Sequence, residues 1–410
     1  MRDTWGLAAV EGKRAPSTWL QHTLINMTDI SSKRASSVRS DRKELDALAS
    51  ELEIHFAKEF TAYWNSIEFE ELALRAFNAQ FQHNPTYRHF CEAKNIVPAR
   101  VEAWSHVPMV PATAFRYLNL VTGDPDAVEV VFHTSGTSSA KIEPGRHLVS
   151  RLSLYRASLL PTFRKYLVPD VSRIRFVSLI PSPIESPNSS LSYMVGAAAE
   201  TMSSQVDWVM NRDGVLNGTR LRRVLDDAAL HGEEVLILGT AFAFAHWLDQ
   251  LQGQELRPLP PGSRIMETGG FKSRKRSVTK EQLHKSLAAT LGLEPNRIVN
   301  EYGMTELLSQ LYESQLTRLD KSQKGHTPPP WLKVRALNPT TLEPVEEHES
   351  GLLAFFDLAN LGSVCHVLTE DVGHVLNGDV HLEGRFSGAE PRGCSLAMDD
   401  LMAASRITDR

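Results

Sequence analysis

Three strand-like runs in this chain each end in a turn built on glycine. Residues 128–132 lead toward Gly136, residues 263–266 toward Gly269 and Gly270, and residues 297–300 toward Gly303. Between them lie stretches in which apolar residues recur at helical spacing, so strands alternate with helices. That alternation predicts a layered α/β fold. In such folds ligands gather at the carboxyl ends of the strands, so the three turns are expected to face one site.

The first turn has a distinctive composition. After the mostly β-branched run Val128-Glu129-Val130-Val131-Phe132, read as a largely buried strand, come His133, Thr134, Ser135, Gly136, Thr137, Ser138 and Ser139, then Ala140 and Lys141. One glycine among small hydroxyl residues can turn its backbone N–H groups inward, and the hydroxyls add donors without bulk. This suits a polyphosphate. A Ser/Thr-rich surface loop is the alternative reading of the same residues.

Composition narrows the class. The chain has 410 residues, 42% hydrophobic and 23% charged, enough for a sizeable core and too apolar for wholesale disorder. A net charge of −5 argues against general nucleic-acid binding. Three cysteines, Cys91, Cys365 and Cys394, are few and odd in number, as in a reducing cytosol. The longest apolar run, residues 235–248, is interrupted by Gly239 and His246 and is too short to span a bilayer. No basic segment followed by an apolar block opens the chain, so a cytoplasmic protein is expected.

Residues 1–40 are rich in Ser, Arg, Lys and Thr and read as a disordered tail, with Met27 as a candidate natural start. A capping box at Asp41 and Glu44 opens a helix carrying Leu45, Leu48, Leu52, Phe56 and Phe60, and a second helix covers 69–81. Pro108 and Pro111 enforce an extended segment that ends in Phe115-Arg116. Helices are predicted over 148–166, 220–229, 241–251 and 279–291, and strands over 175–180 and 234–238. The strand at 175–180 runs into a Pro- and Ser-rich rigid loop over 181–191. Phe242, Phe244 and Trp247 read equally as ordinary core or as a pocket wall. Lys272, Arg274, Lys275 and Arg276 read as a solvated face. These segments divide the chain into an α/β core over 41–319, a polar linker over 320–330 ending in three prolines, and a β-rich lobe over 331–410. Strands are expected there at 351–357 and 363–368, followed by a hairpin about Asn377-Gly378.

Two motifs in order give a resemblance. The loop at Thr134-Ser135-Gly136-Thr137-Ser138 resembles the phosphate loop T-S-G-T-[ST]-G-x-P-K of adenylate-forming enzymes. It departs from that pattern where Ser139 replaces a glycine, the proline is missing and Lys141 comes one residue early. Tyr302-Gly303-Met304-Thr305-Glu306 resembles their Y-G-x-T-E motif. The resemblance implies an aromatic ring on adenine, Thr305 at the α-phosphate and Glu306 holding Mg²⁺. It further implies that Gly269-Gly270 lies beside adenine and the acyl carboxylate, and that Asp371 and Arg385 reach the ribose hydroxyls. Only residues 386–410 follow Arg385, and no lysine follows Lys333. The small mobile domain of such enzymes, with its adenylation lysine, is therefore not expected.

Together with residues 107–116 and 180–191 and with Pro391-Arg392-Gly393-Cys394, these motifs resemble the LuxE family of acyl-protein synthetases. The fold implied is the large domain of the adenylate-forming superfamily, with a helical N-terminal region. The activity implied is ATP- and Mg²⁺-dependent activation of a carboxylic acid, of the fatty type, and transfer of the acyl group to a cysteine for an acceptor protein such as a reductase. Cys394 stands where that cysteine is expected. Arg392 beside it favours a thiolate, and Gly393 gives it freedom to move. The other readings are a ligase that uses coenzyme A or a carrier protein without a covalent stage, and a non-catalytic nucleotide-binding subunit.

Overall fold

The computed structural model of the protein describes residues 43–58, 64–134, 143–251, 253–269, 278–317, 325–386 and 392–405. The chain forms two compact units, residues 1–47 and 48–410. Of the first, residues 43–47 are described and are helical. Everything below concerns the second.

In chain order its strands are β1 (Val110–Pro111), β2 (Val130–His133), β3 (Arg146–Val149), β4 (Ile174–Leu179), β5 (Ser203–Trp208), β6 (Val235–Thr240), β7 (Arg264–Thr268), β8 (Ile298–Tyr302), β9 (Leu311–Glu313), β10 (His326–Thr327), β11 (Leu332–Leu337), β12 (Gly351–Asp357), β13 (His366–Leu376) and β14 (Asp379–Arg385). Twelve of them, among the described residues, make one sheet in the order β11-β12-β13-β14-β10-β9-β8-β7-β6-β4-β5, with β1 added parallel to β13. From β5 to β8 neighbouring strands are parallel, and from β8 to β11 they are antiparallel.

The parallel half is covered on both faces, which is why β4 is buried along its whole length. Val177, Leu179, Ile237, Ile265 and Ile298 point into one core with the helices Gly218–His231, Ala241–Leu251 and Lys280–Leu291. The intervening Phe176 points the other way and stacks on Phe163 of the helix Leu152–Leu167. Local chemistry sets the helix ends. Thr279 and Gln282 form a capping box, and Gly232 and Gly292 close two helices in the left-handed conformation at φ 67° and 68°. Asn377 and Gly378 both take positive φ, 51° and 82°, and turn the β13–β14 hairpin as expected.

Four elements differ from the sequence reading. The run at 128–132 is not a buried strand of the main sheet. As β2 it pairs antiparallel with β3 in a separate two-stranded ribbon, and only Phe132 is buried. The start of the helix expected over 148–166 is β3 itself, and the helix begins at Leu152. A strand partner brought by tertiary pairing overrides the local helical spacing there. The described end of the 320–330 span contributes β10, which bridges β9 and β14, so the strands after residue 331 continue the sheet of the core. The C-terminal residues expected to be β-rich also include the helix Arg392–Ser405.

Three buried histidines tie loops to this frame. His366 donates from Nδ1 to the Val107 carbonyl at 2.7 Å, His147 to the Thr305 carbonyl at 2.7 Å, and His326 from Nε2 to Asn300 Oδ1 at 2.7 Å. Burial pushes His147 and His326 down to about 4 and His366 down to about 3. The unfolded chain, with histidines near pH 6.5, therefore takes up these protons first, and each site loses stability as pH falls from about 6.5 toward its folded value. Burial raises Asp357 to about 6 and Glu301 to about 7, and these act with the opposite sign. His366→Gln should remove one histidine's share. The pH-dependence of its unfolding free energy between pH 6.5 and 5 should differ from the parent by about 1 kcal/mol per pH unit, with the variant the less acid-sensitive, as read by urea denaturation.

Candidate active site

The carboxyl ends of β6, β7 and β8 open into one cleft of about 1000 Å³, to which Thr240, Thr268, Glu301 and Gly303 contribute. This is the location expected for a ligand on such a sheet. The opposite wall comes from β13 and β14 through Asp371 and Arg385, and the rim from Thr113, Arg116, Thr134 and the 185–191 loop.

The Tyr302–Glu306 turn is held from behind. Asp357 is fully buried, and its carboxylate accepts from the backbone N–H groups of Leu308 (3.0 Å) and Ser309 (2.9 Å), from Ser309 Oγ (2.7 Å) and from the Ala359 N–H (2.9 Å). Asn360 accepts from the Leu308 N–H at 3.0 Å and donates to the Glu306 carbonyl at 2.8 Å. His147, neutral at ordinary pH, donates to the Thr305 carbonyl and with Nε2 accepts from Ser363 Oγ at 2.8 Å. Thr305 Oγ1 reaches the His133 carbonyl at 3.3 Å and Ser190 Oγ at 3.4 Å. The turn thus has fixed backbone, while Thr305 and Glu306 present side chains to the cleft.

Asp371 and Arg385 are paired across the β13–β14 hairpin, with Arg385 Nε 3.2 Å from Asp371 Oδ1. Tyr302 donates its hydroxyl to Asp371 Oδ2 at 2.7 Å. Its ring is buried against Phe355, with centroids 5.6 Å apart, and does not line the cleft. The resemblance assigned this ring to adenine. Here the phenol, which needs a partner when buried, reaches the site through Asp371. Burial and the Asp371 carboxylate push its pKa up, so it stays a donor.

Thr134 is clipped at the mouth of the loop. Its N–H donates to the Gly145 carbonyl at 2.9 Å, and its Oγ1 accepts from the Gly145 N–H at 2.8 Å. A Cβ at Gly145 would meet Thr134 Cγ2 at 3.0 Å, so glycine permits the close approach. Ser135, Gly136, Thr137, Ser138 and Lys141 lie outside the described residues, as does Gly270. Gly269 lines the cleft with φ 74°, a conformation that favours glycine. Phe242 lines the cleft and is 38% exposed, whereas Phe244 and Trp247 are core. Phe244 packs under Gly239, where a Cβ would sit 2.8 Å from its ring. Cys91 and Cys365 are buried, and burial pushes both thiols up, Cys91 to about 12. Cys394 is the third residue of the helix Arg392–Ser405, and its side chain lies outside the described residues.

Several cleft residues had no place in the sequence reading. Arg116 was visible only as the end of a proline-constrained segment, and Glu301 only as the neighbour of Tyr302. Tyr155 and Gln310 carried no signal, because they are drawn to the cleft from a helix and a turn far apart in the chain. Among the described residues no cluster of three or more His, Cys, Asp or Glu side chains forms a metal cage. No described helix is long and apolar enough to cross a membrane.

The fold is that of adenylate-forming ligases. A crystal structure of 2-hydroxyisobutyryl-CoA ligase, with 2-HIB-AMP and CoA, superposes with a TM-score of 0.59 at 15% identity over 80% of this chain and 78% of that one. The same ligase in its postadenylation state gives 0.60 over 79% and 69%. Within that class, residues 58–403 match the family described as acyl-protein synthetase, LuxE, and the chain belongs to it. A long-chain-fatty-acid–luciferin-component ligase of Vibrio harveyi is 26% identical over 83% of this chain and 91% of its own length. The corresponding ligase of Aliivibrio fischeri is 24% identical over 81% and 88%. The protein is accordingly an ATP-dependent ligase of the acyl-protein synthetase type.

Asp357→Ala would leave the Ser309 and Ala359 N–H groups without their acceptor, the Leu308 N–H with Asn360 alone and the Ser309 hydroxyl with Ser158 alone. Unfolding free energy should fall by on the order of 3 kcal/mol, and ATP turnover should fall more than tenfold at a temperature where the variant is still folded. Calorimetry and pyrophosphate release on one preparation check both.

Proposed function

We propose that this enzyme activates a carboxylic acid of the fatty type as its acyl-adenylate and then carries the acyl group as a thioester on Cys394 for delivery to an acceptor protein. The observation that carries the reading is the convergence of Thr134, the Thr305–Glu306 turn and the Asp371–Arg385 pair on one cleft. Names of the relatives, which join a long-chain fatty acid to a luciferin component, supply the substrate type.

In the first step a carboxylate oxygen of the acid attacks the α-phosphorus of ATP, the bond to the bridging oxygen breaks, and pyrophosphate leaves. Thr305 donates toward the α-phosphate from a backbone fixed by His147 and Asn360. Asp371, oriented by Tyr302 and Arg385, accepts from the ribose hydroxyls. Thr134, fixed by its bonds to Gly145, lines the cleft on the side that would take the phosphates. Mg²⁺ fits this donor set, because one carboxylate and phosphate oxygens suffice for it and Glu306 lies in the cleft. When bound, it would offset the charge of the phosphates.

In the second step the Cys394 thiolate attacks the acyl carbonyl carbon, and AMP leaves with the mixed-anhydride oxygen. The first turn of a helix suits that thiol, since the partial positive charge of the free N–H groups favours a thiolate. The helix packs on the helix Pro85–Ala93 and on β1. Lys94 pairs with Asp400 at 2.6 Å, and Thr113 Oγ1 meets Met398 Sδ at 3.9 Å. Thr113 lines the cleft, so the helix that bears Cys394 is anchored at its rim. Attachment at the rim supports transfer between a closed site and an external acceptor such as a reductase.

The test is intact mass after incubation with ATP, Mg²⁺ and fatty acids, with pyrophosphate measured in the same tubes. One acyl mass, lost with hydroxylamine and absent from Cys394→Ala while pyrophosphate release persists, is expected. A thioester that survives in Cys394→Ala would overturn the assignment of the cysteine. Pyrophosphate without any acyl-enzyme would favour an external thiol acceptor, and ATP binding without pyrophosphate a non-catalytic subunit.

A further inference from the structure

The wall of the cleft below Gly303 is polar and buried. Glu301, the residue before Tyr302 on β8, lines the cleft with only 4% exposure. Its carboxylate accepts from Thr268 Oγ1, and its Oε1 fills the space that a Cβ on Gly303 would need. A carboxylate offers about four lone-pair positions, so one hydroxyl leaves most of its accepting capacity open. Beside it stand Gln310 and Tyr155, also in the cleft wall and buried. Gln310 Nε2 donates to the Tyr155 hydroxyl at 3.4 Å, and Gln310 Oε1 is a buried acceptor with no hydrogen-bond partner among the described residues. The charge of Glu301 reaches the Tyr155 phenol and, with burial, pushes its pKa up, which places the two groups in one environment. Burial likewise pushes Glu301 up to about 7. Met194 gives this wall an apolar flank.

A purely hydrocarbon chain laid here would strip water from two acceptors and return no hydrogen bond, which is unfavourable for each of them. An amine on the ligand, with several N–H groups, would satisfy both, and a hydroxyl, with one O–H, would satisfy one of them. We propose that the acid activated by this enzyme carries a hydrogen-bond donor on its chain, either an amine received by Glu301 and Gln310 together or a hydroxyl received by one of them. The inference rests on the ligase reading above and specifies its substrate. It makes Glu301 and Gln310 determinants of specificity. A site built to bond a substrate hydroxyl or amine rejects the analogue without it far more strongly than an apolar pocket rejects one methylene.

The experiment uses the full chain with ATP and Mg²⁺ and reads pyrophosphate release with matched acids of equal chain length. The panel holds the unsubstituted acid and its 2-, 3- and ω-hydroxy and 2-, 3- and ω-amino forms. At least one substituted acid should exceed its parent in kcat/KM by tenfold or more, and Glu301→Leu should bring that ratio close to one. Glu301→Gln separates the two donors. It should keep part of the preference for a hydroxyl, which an amide oxygen still accepts, and lose the preference for an amine, which needs the charge. Gln310→Met, a milder change, should reduce the same ratio and serves if Glu301→Leu does not fold. Highest kcat/KM for the unsubstituted acid in the parent enzyme, or a ratio unmoved in the variants, would overturn the inference and leave the ligase reading intact. Pyrophosphate with no acid of the panel would overturn the ligase reading and the inference with it.

Discussion

Asp357 ends β12 with its carboxylate buried among four donors, and the placement of the Tyr302–Glu306 turn depends on it. The turn leaves β8 in the parallel half of the sheet, whereas β12 belongs to the antiparallel half. One buried acid therefore joins the two halves at the site. Burial alone would favour its protonated form, and it raises Asp357 to about 6, while the N–H and O–H groups around it oppose that shift. Asn360 and His147 repeat the arrangement with neutral groups. Thr305 and Glu306 are thus held by backbone bonds made behind them, and both line the cleft.

The cleft divides its chemistry by wall. Asp371, Arg385 and the clipped Thr134 belong to β13, β14 and the end of the ribbon, and in the proposed function they take the ribose and phosphates of a nucleotide. Glu301, Gln310 and Tyr155 belong to the interior wall, where water is scarce and a missing hydrogen bond weighs most. The two sets meet at Gly303, which has no side chain because the carboxylate of Glu301 occupies that space. A single glycine lets the Tyr302–Glu306 turn and the interior acid sit side by side.

The C-terminal helix adds a third component. It is held to the helix Pro85–Ala93 by Lys94 and Asp400, with Thr113 against Met398. The segment Ala112–Arg116 beneath it also borders the cleft. Arg116 lines the cleft close to the Thr134–Gly145 clip, with its N–H 3.4 Å from where a Cβ on Gly145 would lie. The helix, the cleft rim and the Thr134–Gly145 clip are consequently neighbours through the short segment after Pro111.

Local chemistry made much of this legible in the chain. Strand-length apolar runs alternating with stretches at helical spacing made the parallel half legible, because the continuous burial of its strands leaves a local apolar signal. The Asn377-Gly378 turn fixed the hairpin that carries Asp371 and Arg385, since both of its residues need positive φ. Tyr302–Glu306 is a contiguous motif and Asp371 and Arg385 flank one hairpin, so these four cleft-lining positions, Thr305, Glu306, Asp371 and Arg385, could be named without coordinates. Pairing between distant segments could not. Tertiary contact put β2 and β3 in a ribbon outside the main sheet, extended that sheet through β10, and turned Tyr302 toward Phe355 and Asp371. It also assembled Glu301, Gln310 and Tyr155 into one buried wall, because the solvent exposure of a carboxylate depends on which remote side chains cover it and no local pattern records that.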